Sequence, residues 1–305
     1  MRLFITGASG FVGAATLRAA LDAGHEVAAP VRLGSPARRL TPFQGRYLHL
    51  PLDLLETAGV AAAMAAFRPD AVLHLAWSGV ENSARFERRQ VSDNIETACA
   101  LTEAAAACGA RAFIGVGSQG EYGAAQAMTE DALPRPTSLY GAAKVATFFL
   151  TRQLAEQAGL RHAWLRLFST YGPEDNDGWL IPMLIAEMLA GRRPRTTLGT
   201  QKWDWLHVDD VARAMIAVAE TPTAEGLFNL GSGQPVSVRW AVERIRDLAA
   251  PGMELKFGEI PFRPDQVMHM QADISRLTAA TGWKPAIPIA EGLADTVAWY
   301  RACAA

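Results

Sequence analysis

The sequence predicts an α/β fold, with a doubly wound parallel sheet and a smaller carboxy-terminal lobe. Short apolar segments alternate with longer helical patterns through the first half of the chain. A glycine-rich turn also joins the first predicted strand to the first predicted helix. Strands that are apolar throughout are buried on both faces, so we expect helices on both sides of the sheet.

The first half of the chain supplies most of the predicted elements. Strands are predicted at 3–7, 26–32, 46–54, 71–77, 111–118 and 162–168, and helices at 10–24, 54–67, 88–108 and 138–159. We expect residues 1–168 to form a dinucleotide-binding domain, to which residues 204–232 return as a further strand and helix. Tryptophan, proline and basic residues become denser after Tyr171-Gly172-Pro173. Residues 169–305 are therefore expected to form mainly the smaller lobe, over the carboxyl ends of the strands.

Composition excludes several classes of protein. The chain has 305 residues, a formal net charge of −2 and 50% hydrophobic residues, which argues against nucleic acid or an anionic membrane as the main partner. No apolar run approaches the roughly 18 residues of a membrane span, and the amino terminus does not resemble a signal peptide. The three cysteines fit no disulfide or zinc spacing. We expect a cytoplasmic protein that binds no metal.

The segment TGASGFVG, residues 6–13, follows a predicted strand and opens a helix. In that context Gly7 permits a tight turn, Gly10 lets the backbone approach a pyrophosphate, and Gly13 lets the helix pack closely on the sheet. The helix N-terminus offers free N–H groups to the phosphates. These features predict a dinucleotide site in a Rossmann-like fold.

The end of the second predicted strand bears on the choice of dinucleotide. An acidic residue there would bind the adenosine ribose and repel a 2′-phosphate. This chain instead has Arg32, followed by Arg38 and Arg39. A guanidinium binds phosphate well, so NADP is favoured over NAD. Asp53, ending the third predicted strand, is placed to bind the adenine amino group.

Tyr140 and Lys144 are spaced i and i+4 and therefore share one face of a helix. A nearby ammonium lowers the pKa of a phenol, which would make Tyr140 an acid–base group near neutral pH. Ser118 ends the fifth predicted strand, where its hydroxyl could bind a substrate oxygen beside Tyr140.

These motifs occur in one order with HLAW (74–77), RLFSTYGP (166–173), WDWLHVDDVARA (203–214) and GWKPAIPIAEGL (282–293). Together they resemble the extended short-chain dehydrogenase/reductase family over essentially the whole chain, and within it the nucleotide-sugar epimerase/dehydratase/reductase group. The Gly-x-x-Gly-x-x-Gly spacing is also associated with short-chain dehydrogenases.

The resemblance implies roles for particular residues. Ser118, Tyr140 and Lys144 would be catalytic, with Lys144 also holding the nicotinamide ribose, and Asn94 would complete a proton relay or give structural support. The full set of expected cofactor-binding residues is Gly7, Ser9, Gly10, Phe11, Val12, Gly13, Arg32, Arg38, Asp53, Leu54, Leu75, Ala76, Trp77, Asn94, Val116, Tyr140, Lys144 and Leu167. The expected substrate-binding residues are Ser118, Gln119, Ser169, Trp179, Arg192, Trp203 and Arg263.

Departures from the family pattern reduce the number of activities that this chain could have. The 4,6-dehydratases of the group carry an Asp-Glu pair after the serine or threonine, where this chain has Gln119 and Gly120. Neither can act as the acid or base of a dehydration, and we expect Glu121 to point elsewhere.

Two further departures concern the substrate. Relatives often have an arginine at the position of Trp203, and it binds the pyrophosphate of the nucleotide sugar. In this chain we expect Arg263 or Arg192 to bind that pyrophosphate instead. Trp203 could pack on a base or sugar, or in the core. Ser169 occupies a position at which relatives commonly have an asparagine.

The sequence therefore predicts a nucleotide-sugar 4-ketoreductase that uses NADPH on an NDP-4-keto-6-deoxyhexose. The alternatives are a 4-epimerase with retained NAD and a non-catalytic dinucleotide sensor. The resemblance also implies a homodimer, in which the helices around 88–108 and 138–159 form a four-helix bundle.

Overall fold

The computed structural model of the chain describes residues 1–123, 128–263 and 266–304. The strands are β1 Arg2–Thr6, β2 Glu26–Pro30, β3 Leu48–Leu50, β4 Ala71–His74, β5 Ala112–Ser118, β6 Arg161–Leu167, β7 Ser169–Tyr171, β8 Lys202–Trp203, β9 Trp205–His207, β10 Gly226–Leu230 and β11 Val236–Ser237. The α-helices are α1 Phe11–Asp22, α2 Thr57–Phe67, α3 Arg89–Ser92, α4 Ile95–Ala107, α5 Leu139–Ala158, α6 Leu180–Leu189, α7 Val208–Glu220, α8 Val238–Ala249, α9 Ser275–Thr281 and α10 Ile289–Ala304.

Seven parallel strands form the central sheet, in the order β10-β6-β5-β4-β1-β2-β3. Successive side chains of β1 point to opposite faces: Leu3 and Ile5 pack with α1 and α7, whereas Phe4 packs with α2, α4 and α5. Helices cover both faces, so the predicted doubly wound, Rossmann-like fold is confirmed.

A separate apolar cluster lies in the carboxy-terminal half. It joins β7 and β9 to helices α6, α8 and α10, with Leu184, Val242 and Leu293 fully buried. This cluster supports the segments that face the carboxyl ends of the central strands. In the part of the chain that the structure describes, each helix is too short or too polar to span a lipid bilayer.

Within the returning segment 204–232, the strand at its start is not the one that rejoins the central sheet. Trp205–His207 pairs in parallel with β7, outside that sheet, and the seventh central strand is β10. The following helix α7 packs on α1, on one face of the central sheet.

Two other differences from the sequence prediction have a local cause. The strand predicted at 46–54 is limited to Leu48–Leu50, because Pro51 has no N–H to donate to a neighbouring strand. The helix predicted at 88–108 is interrupted near Asn94, whose side-chain amide donates to the Gln90 carbonyl at 3.2 Å. An asparagine side chain that bonds the backbone in this way competes with helix continuation.

Candidate active site

A cleft of about 1400 Å³ runs along the carboxyl ends of the central strands and under the carboxy-terminal helices. Pockets for single small ligands are about 300–1,000 Å³, so this cleft has room for a dinucleotide and a second ligand. Most of the predicted cofactor residues line it: Gly7, Ser9, Gly10, Phe11, Val12, Gly13, Arg32, Asp53, Leu54, Leu75, Ala76, Trp77, Asn94, Val116, Tyr140, Lys144 and Leu167.

The glycine turn between β1 and α1 forms one end of the cleft. Gly7 has a φ of +72°, and the Gly10 N–H donates to the Gly7 carbonyl at 2.9 Å. A Cβ on Gly13 would lie 2.0 Å from the Gly7 oxygen, and one on Gly7 would lie 2.6 Å from the Ala76 nitrogen. The first turn of α1 has no side-chain cap and no acidic residue. This geometry fits a pyrophosphate, which would be held by free N–H groups at a positive helix end.

The basic residues after β2 differ in position. Arg32 is exposed and lines the cleft, whereas Arg38 is exposed outside it. Arg39 is buried, and its guanidinium donates to the Glu174 carbonyl at 2.6 and 2.9 Å and to Asn176 Oδ1 at 3.0 Å. Arg39 therefore ties the segment after β2 to the loop after β7, a role that the sequence did not reveal.

Ser118 is held by a short turn at the end of β5. Its Oγ accepts from the Gly120 N–H at 3.1 Å, and its O–H makes a long contact of 3.4 Å with Gln119 Oε1. Ser118 and Gln119 both line the cleft. The Ser118 hydroxyl therefore lies at the cleft wall beside Tyr140, where a ligand oxygen can reach it.

Glu121 points away from the cleft, as predicted, but into a buried network. Its carboxylate accepts from the Ser118 N–H at 2.9 Å, the Trp164 indole at 3.1 Å and Arg166 Nε at 2.7 Å. A Cβ on Gly117 would lie 2.3 Å from Glu121 Oε1, so the glycine makes room for the carboxylate. Glu121 thus fixes the Ser118 turn from the side that faces away from the cleft, and no sequence motif indicated this.

Tyr140 lies in the first turn of α5, where Ser138 caps the helix by accepting from the Gly141 N–H at 3.1 Å. Burial raises the pKa of the Tyr140 phenol; the Ser118 side chain and the Arg85 guanidinium oppose that shift. The expectation that Lys144 makes the phenol acidic is therefore wrong for this structure, in which the net change is upward. Desolvation of the phenolate outweighs the nearby positive charges.

Lys144 faces the same cleft one helical turn later. Its Nζ donates to the Val116 carbonyl at 2.6 Å and lies 3.6 Å from the centroid of the Trp77 ring. The distance from Nζ to the Tyr140 ring centroid is 6.0 Å. Burial lowers the pKa of Lys144 from its usual 10.5 to about 7, and the charge of Glu121 opposes this shift.

Asn94 supports the loop after β4. Its Oδ1 accepts from the Ser78 N–H at 2.7 Å, and its Nδ2 donates to the Ser78 and Gln90 carbonyls at 3.1 and 3.2 Å. Of the two roles that the resemblance implied, these contacts favour structural support over a proton relay.

The predicted substrate residues Gln119, Ser169, Trp179, Trp203 and Arg263 line the same cleft, as Ser118 does. Pro264 and Asp265, which follow Arg263 in the sequence, lie outside the described residues. Arg192 is not brought to the cleft, because its guanidinium pairs with Glu187 at 2.8 Å on the surface. Arg195, which was not predicted, lines the cleft instead.

Trp203 is half-buried at the cleft wall, with its ring centroid 5.7 Å from that of Trp205 and its Nε1 donating to the Val267 carbonyl at 3.3 Å. The adjacent Asp204 is fully buried and accepts from the N–H groups of Ser232, Gly233 and Ala272 at 2.6–2.9 Å. Asp204 thus fastens the loop after β10 to the wall. The Gly-Ser-Gly turn after that strand was the available signal in the sequence.

Comparison with known proteins agrees with this architecture. The family model for the NAD dependent epimerase/dehydratase family matches residues 3–231. A dTDP-glucose 4,6-dehydratase of Streptomyces griseus is 31% identical, over 98% of this chain and 94% of its own. A GDP-6-deoxy-D-mannose reductase of Pseudomonas aeruginosa is also 31% identical, over 96% and 94% of the two chains. The crystal structure of a UDP-glucose 4-epimerase from Thermotoga maritima with UDP-glucose superimposes with a TM-score of 0.90, at 25% identity and full coverage of both chains.

The chain thus combines a glycine turn suited to a pyrophosphate, a helix that carries the Tyr-x-x-x-Lys pair, and similarity to these relatives over its full length. The protein belongs to the NAD dependent epimerase/dehydratase family, within the extended short-chain dehydrogenase/reductase group that acts on nucleotide sugars.

Proposed function

We propose that the protein is an NADPH-dependent reductase of the C4 keto group of a nucleoside-diphosphate-4-keto-6-deoxyhexose. One observation carries the choice of reduction over dehydration. Gln119 and Gly120 occupy the two positions after Ser118, and the nearest acid, Glu121, is turned inward and paired with Arg166. The three described residues that follow Ser118 therefore offer an amide but no free carboxyl group to remove water from a sugar.

The residues that would hold NADPH are the glycine turn of 7–13 for the pyrophosphate, Asp53 for the adenine amino group and Lys144 for the nicotinamide ribose. Arg32 would hold the 2′-phosphate; it lines the cleft and forms no ion pair with a described carboxylate. When bound, NADPH supplies the hydride that reduces C4.

The chain's own groups act on the carbonyl oxygen. Tyr140 donates its phenolic proton to the oxygen, and the Ser118 hydroxyl hydrogen-bonds that oxygen as negative charge develops on it. The Gly120 N–H and the Glu121 carboxylate hold Ser118 in place. Because this turn is fixed before substrate binds, little reorganisation accompanies the reaction.

A cofactor assay separates the proposed reductase from an epimerase. With an NDP-4-keto-6-deoxyhexose, one NADPH should be consumed per sugar reduced, and protein purified without added nucleotide should release little NAD. A 4-epimerase remains the second candidate because of the similarity to the Thermotoga UDP-glucose 4-epimerase. Tightly retained NAD, with sugar interconverted and no net NADPH loss, would establish the epimerase instead.

We further propose that residues 1–168, with 204–232, bind the dinucleotide and that residues 169–305 mainly bind the nucleotide sugar. The separate apolar cluster of α6, α8 and α10 supports this division. Hydrogen exchange should show that NADP protects the glycine turn and that nucleoside diphosphates protect the segments around Trp179 and Trp203. The opposite pattern would contradict the assignment.

The proposed homodimer would pair α4 and α5 with their copies. These two helices pack on each other, and Phe149 and Leu150 of α5 are each 45% exposed. Analytical ultracentrifugation of wild type and a Phe149→Glu/Leu150→Glu variant tests this. We expect a dimer for the former and a monomer for the latter; a monomeric wild type would refute the proposal.

A further inference from the structure

Arg85 lies beside the ring of Tyr140, although no sequence motif included it. The guanidinium carbon is 5.1 Å from the Tyr140 ring centroid, and the half-buried side chain lines the cleft. The Tyr140 N–H donates to the Arg85 carbonyl at 2.9 Å. This bond fastens the backbone at Arg85 to the first turn of α5, so the arginine side chain starts close to the Tyr140 ring.

The charge of Arg85 is not committed to another group of the described chain. Its Nε makes only a long contact, of 3.5 Å, with the Val80 carbonyl. It forms no ion pair with any described carboxylate, unlike its neighbour Arg89, which pairs with Glu87 at 2.6 Å. A cation without a counter-ion in a partly desolvated cleft acts strongly on nearby titratable groups.

The other charged groups that face the Tyr140 ring are less favourably placed. Lys144 Nζ is 6.0 Å from the ring centroid and is engaged by the Val116 carbonyl and the face of Trp77. Glu121 is negative and disfavours the phenolate, but its carboxylate is paired with Arg166. Of these two cations, Arg85 therefore lies closer to the Tyr140 ring than Lys144 does.

We propose that Arg85 is a positioning residue that acts through Tyr140, stabilising the phenolate and so making the phenol a stronger proton donor. This inference rests on the proposed role of Tyr140 in reduction. A positive charge about 4–6 Å from an acid favours the ionised form. In agreement, Arg85 acts to lower the pKa of Tyr140 against the larger, opposing effect of burial.

A direct test titrates Tyr140 without substrate. The ultraviolet absorbance of tyrosinate is followed against pH, and the curve of a Tyr140→Phe variant is subtracted to isolate the one phenol. In Arg85→Gln the isolated titration should move to higher pH, whereas Arg85→Lys, which keeps the charge, should stay closer to wild type. Arg88→Gln, which removes an exposed arginine outside the cleft, is the matched control and should titrate as wild type does.

Turnover provides the second readout. If Tyr140 donates the proton, its ionisation ends activity at high pH, so the alkaline limb of kcat should also move to higher pH in Arg85→Gln. At neutral pH the weaker acid should lower kcat about tenfold, and Arg85→Lys should recover most of that loss.

Two results would overturn the proposal. One is a Tyr140 titration that is unchanged in Arg85→Gln and Arg85→Lys. The other is a rise in KM for the nucleotide sugar with kcat and the titration unchanged, which would assign the guanidinium to substrate binding. Since the titration needs no substrate, it can succeed or fail whatever the sugar specificity turns out to be. If Arg85→Gln does not fold, a wild-type-like titration in Arg85→Met would overturn the proposal equally.

Discussion

The Lys144 ammonium lies against the face of Trp77, with 3.6 Å between Nζ and the ring centroid. The Trp77 indole is itself fixed, because its Nε1 donates to Gln90 Oε1 at 2.8 Å. The same ring meets Tyr140 edge-on, with 6.0 Å between centroids and an angle of 82° between ring planes. Trp77 therefore contacts both members of the Tyr-x-x-x-Lys pair and sets the position of the ammonium.

Replacing Trp77 should impair catalysis through Lys144. A desolvated cation–π contact contributes about 2 kcal/mol or more, so Trp77→Ala should lower kcat/KM at least about tenfold. Trp77→Phe keeps an aromatic face and should retain more activity than Trp77→Ala. The comparison is made by steady-state kinetics at saturating cofactor. Equal losses in the two variants would show that the ring face does not hold Lys144.

Burial of Lys144 should make the protein's stability depend on pH. The pKa of this group is about 7 when folded and about 10.5 in the unfolded chain. Between these values the unfolded chain binds a proton that the folded protein lacks, so the group's unfavourable contribution diminishes as pH rises. The free energy of unfolding of wild type, relative to Lys144→Met, should therefore increase from pH 7 towards 10.

Urea unfolding of both proteins at several pH values measures this difference. Taking the difference cancels the titrations that the two proteins share. A difference that stays constant from neutral to alkaline pH would show that Lys144 is not buried as described. Lys144→Met should also be inactive at every pH, because the nicotinamide ribose would lose the ammonium that is proposed to hold it.

The buried Glu121–Arg166 pair should be a strong determinant of stability. Its Nε–Oε2 distance is 2.7 Å, and both side chains are almost fully buried. Removing one partner leaves an uncompensated charge, so Glu121→Leu or Arg166→Met should each destabilise the fold by about 3–5 kcal/mol. The double variant should lose much less than the sum, which urea unfolding will measure. Strictly additive losses would argue against direct pairing.

Gly13 should be intolerant of any side chain. Its Cβ would lie 2.0 Å from the Gly7 carbonyl oxygen, so Gly13→Ala must distort the turn that faces the pyrophosphate. Calorimetry should show dinucleotide binding weakened by at least about tenfold. The matched control is Gly59→Ala on α2, where the nearest atom would be 3.7 Å away; it should bind normally. Wild-type affinity in Gly13→Ala would place the phosphates elsewhere.

Local patterns in the sequence were sufficient to predict the central sheet and most of the cleft. Apolar runs located six of its seven strands, and the glycine spacing located the turn at 7–13. Each of those signals resides in a continuous segment whose own side chains determine its conformation.

The features that were missed depend on contacts between distant segments. The network of Glu121 and Arg166 joins the turn after β5 to β6, and Arg39 reaches the loop after β7, so neither shows as a local pattern. The pKa of Tyr140 was predicted in the wrong direction because spacing alone reports a neighbouring charge but not the burial that opposes it. Likewise, only the fold shows that β9 pairs with β7 outside the central sheet.

The most direct test of the account is NADPH consumption with an NDP-4-keto-6-deoxyhexose, compared between wild type and Tyr140→Phe, with NADPH affinity measured in parallel. We predict stoichiometric consumption by wild type and a loss of about a hundredfold or more in Tyr140→Phe, at unchanged cofactor affinity. Undiminished turnover in Tyr140→Phe, or the absence of NADPH consumption by wild type with every such sugar, would contradict it.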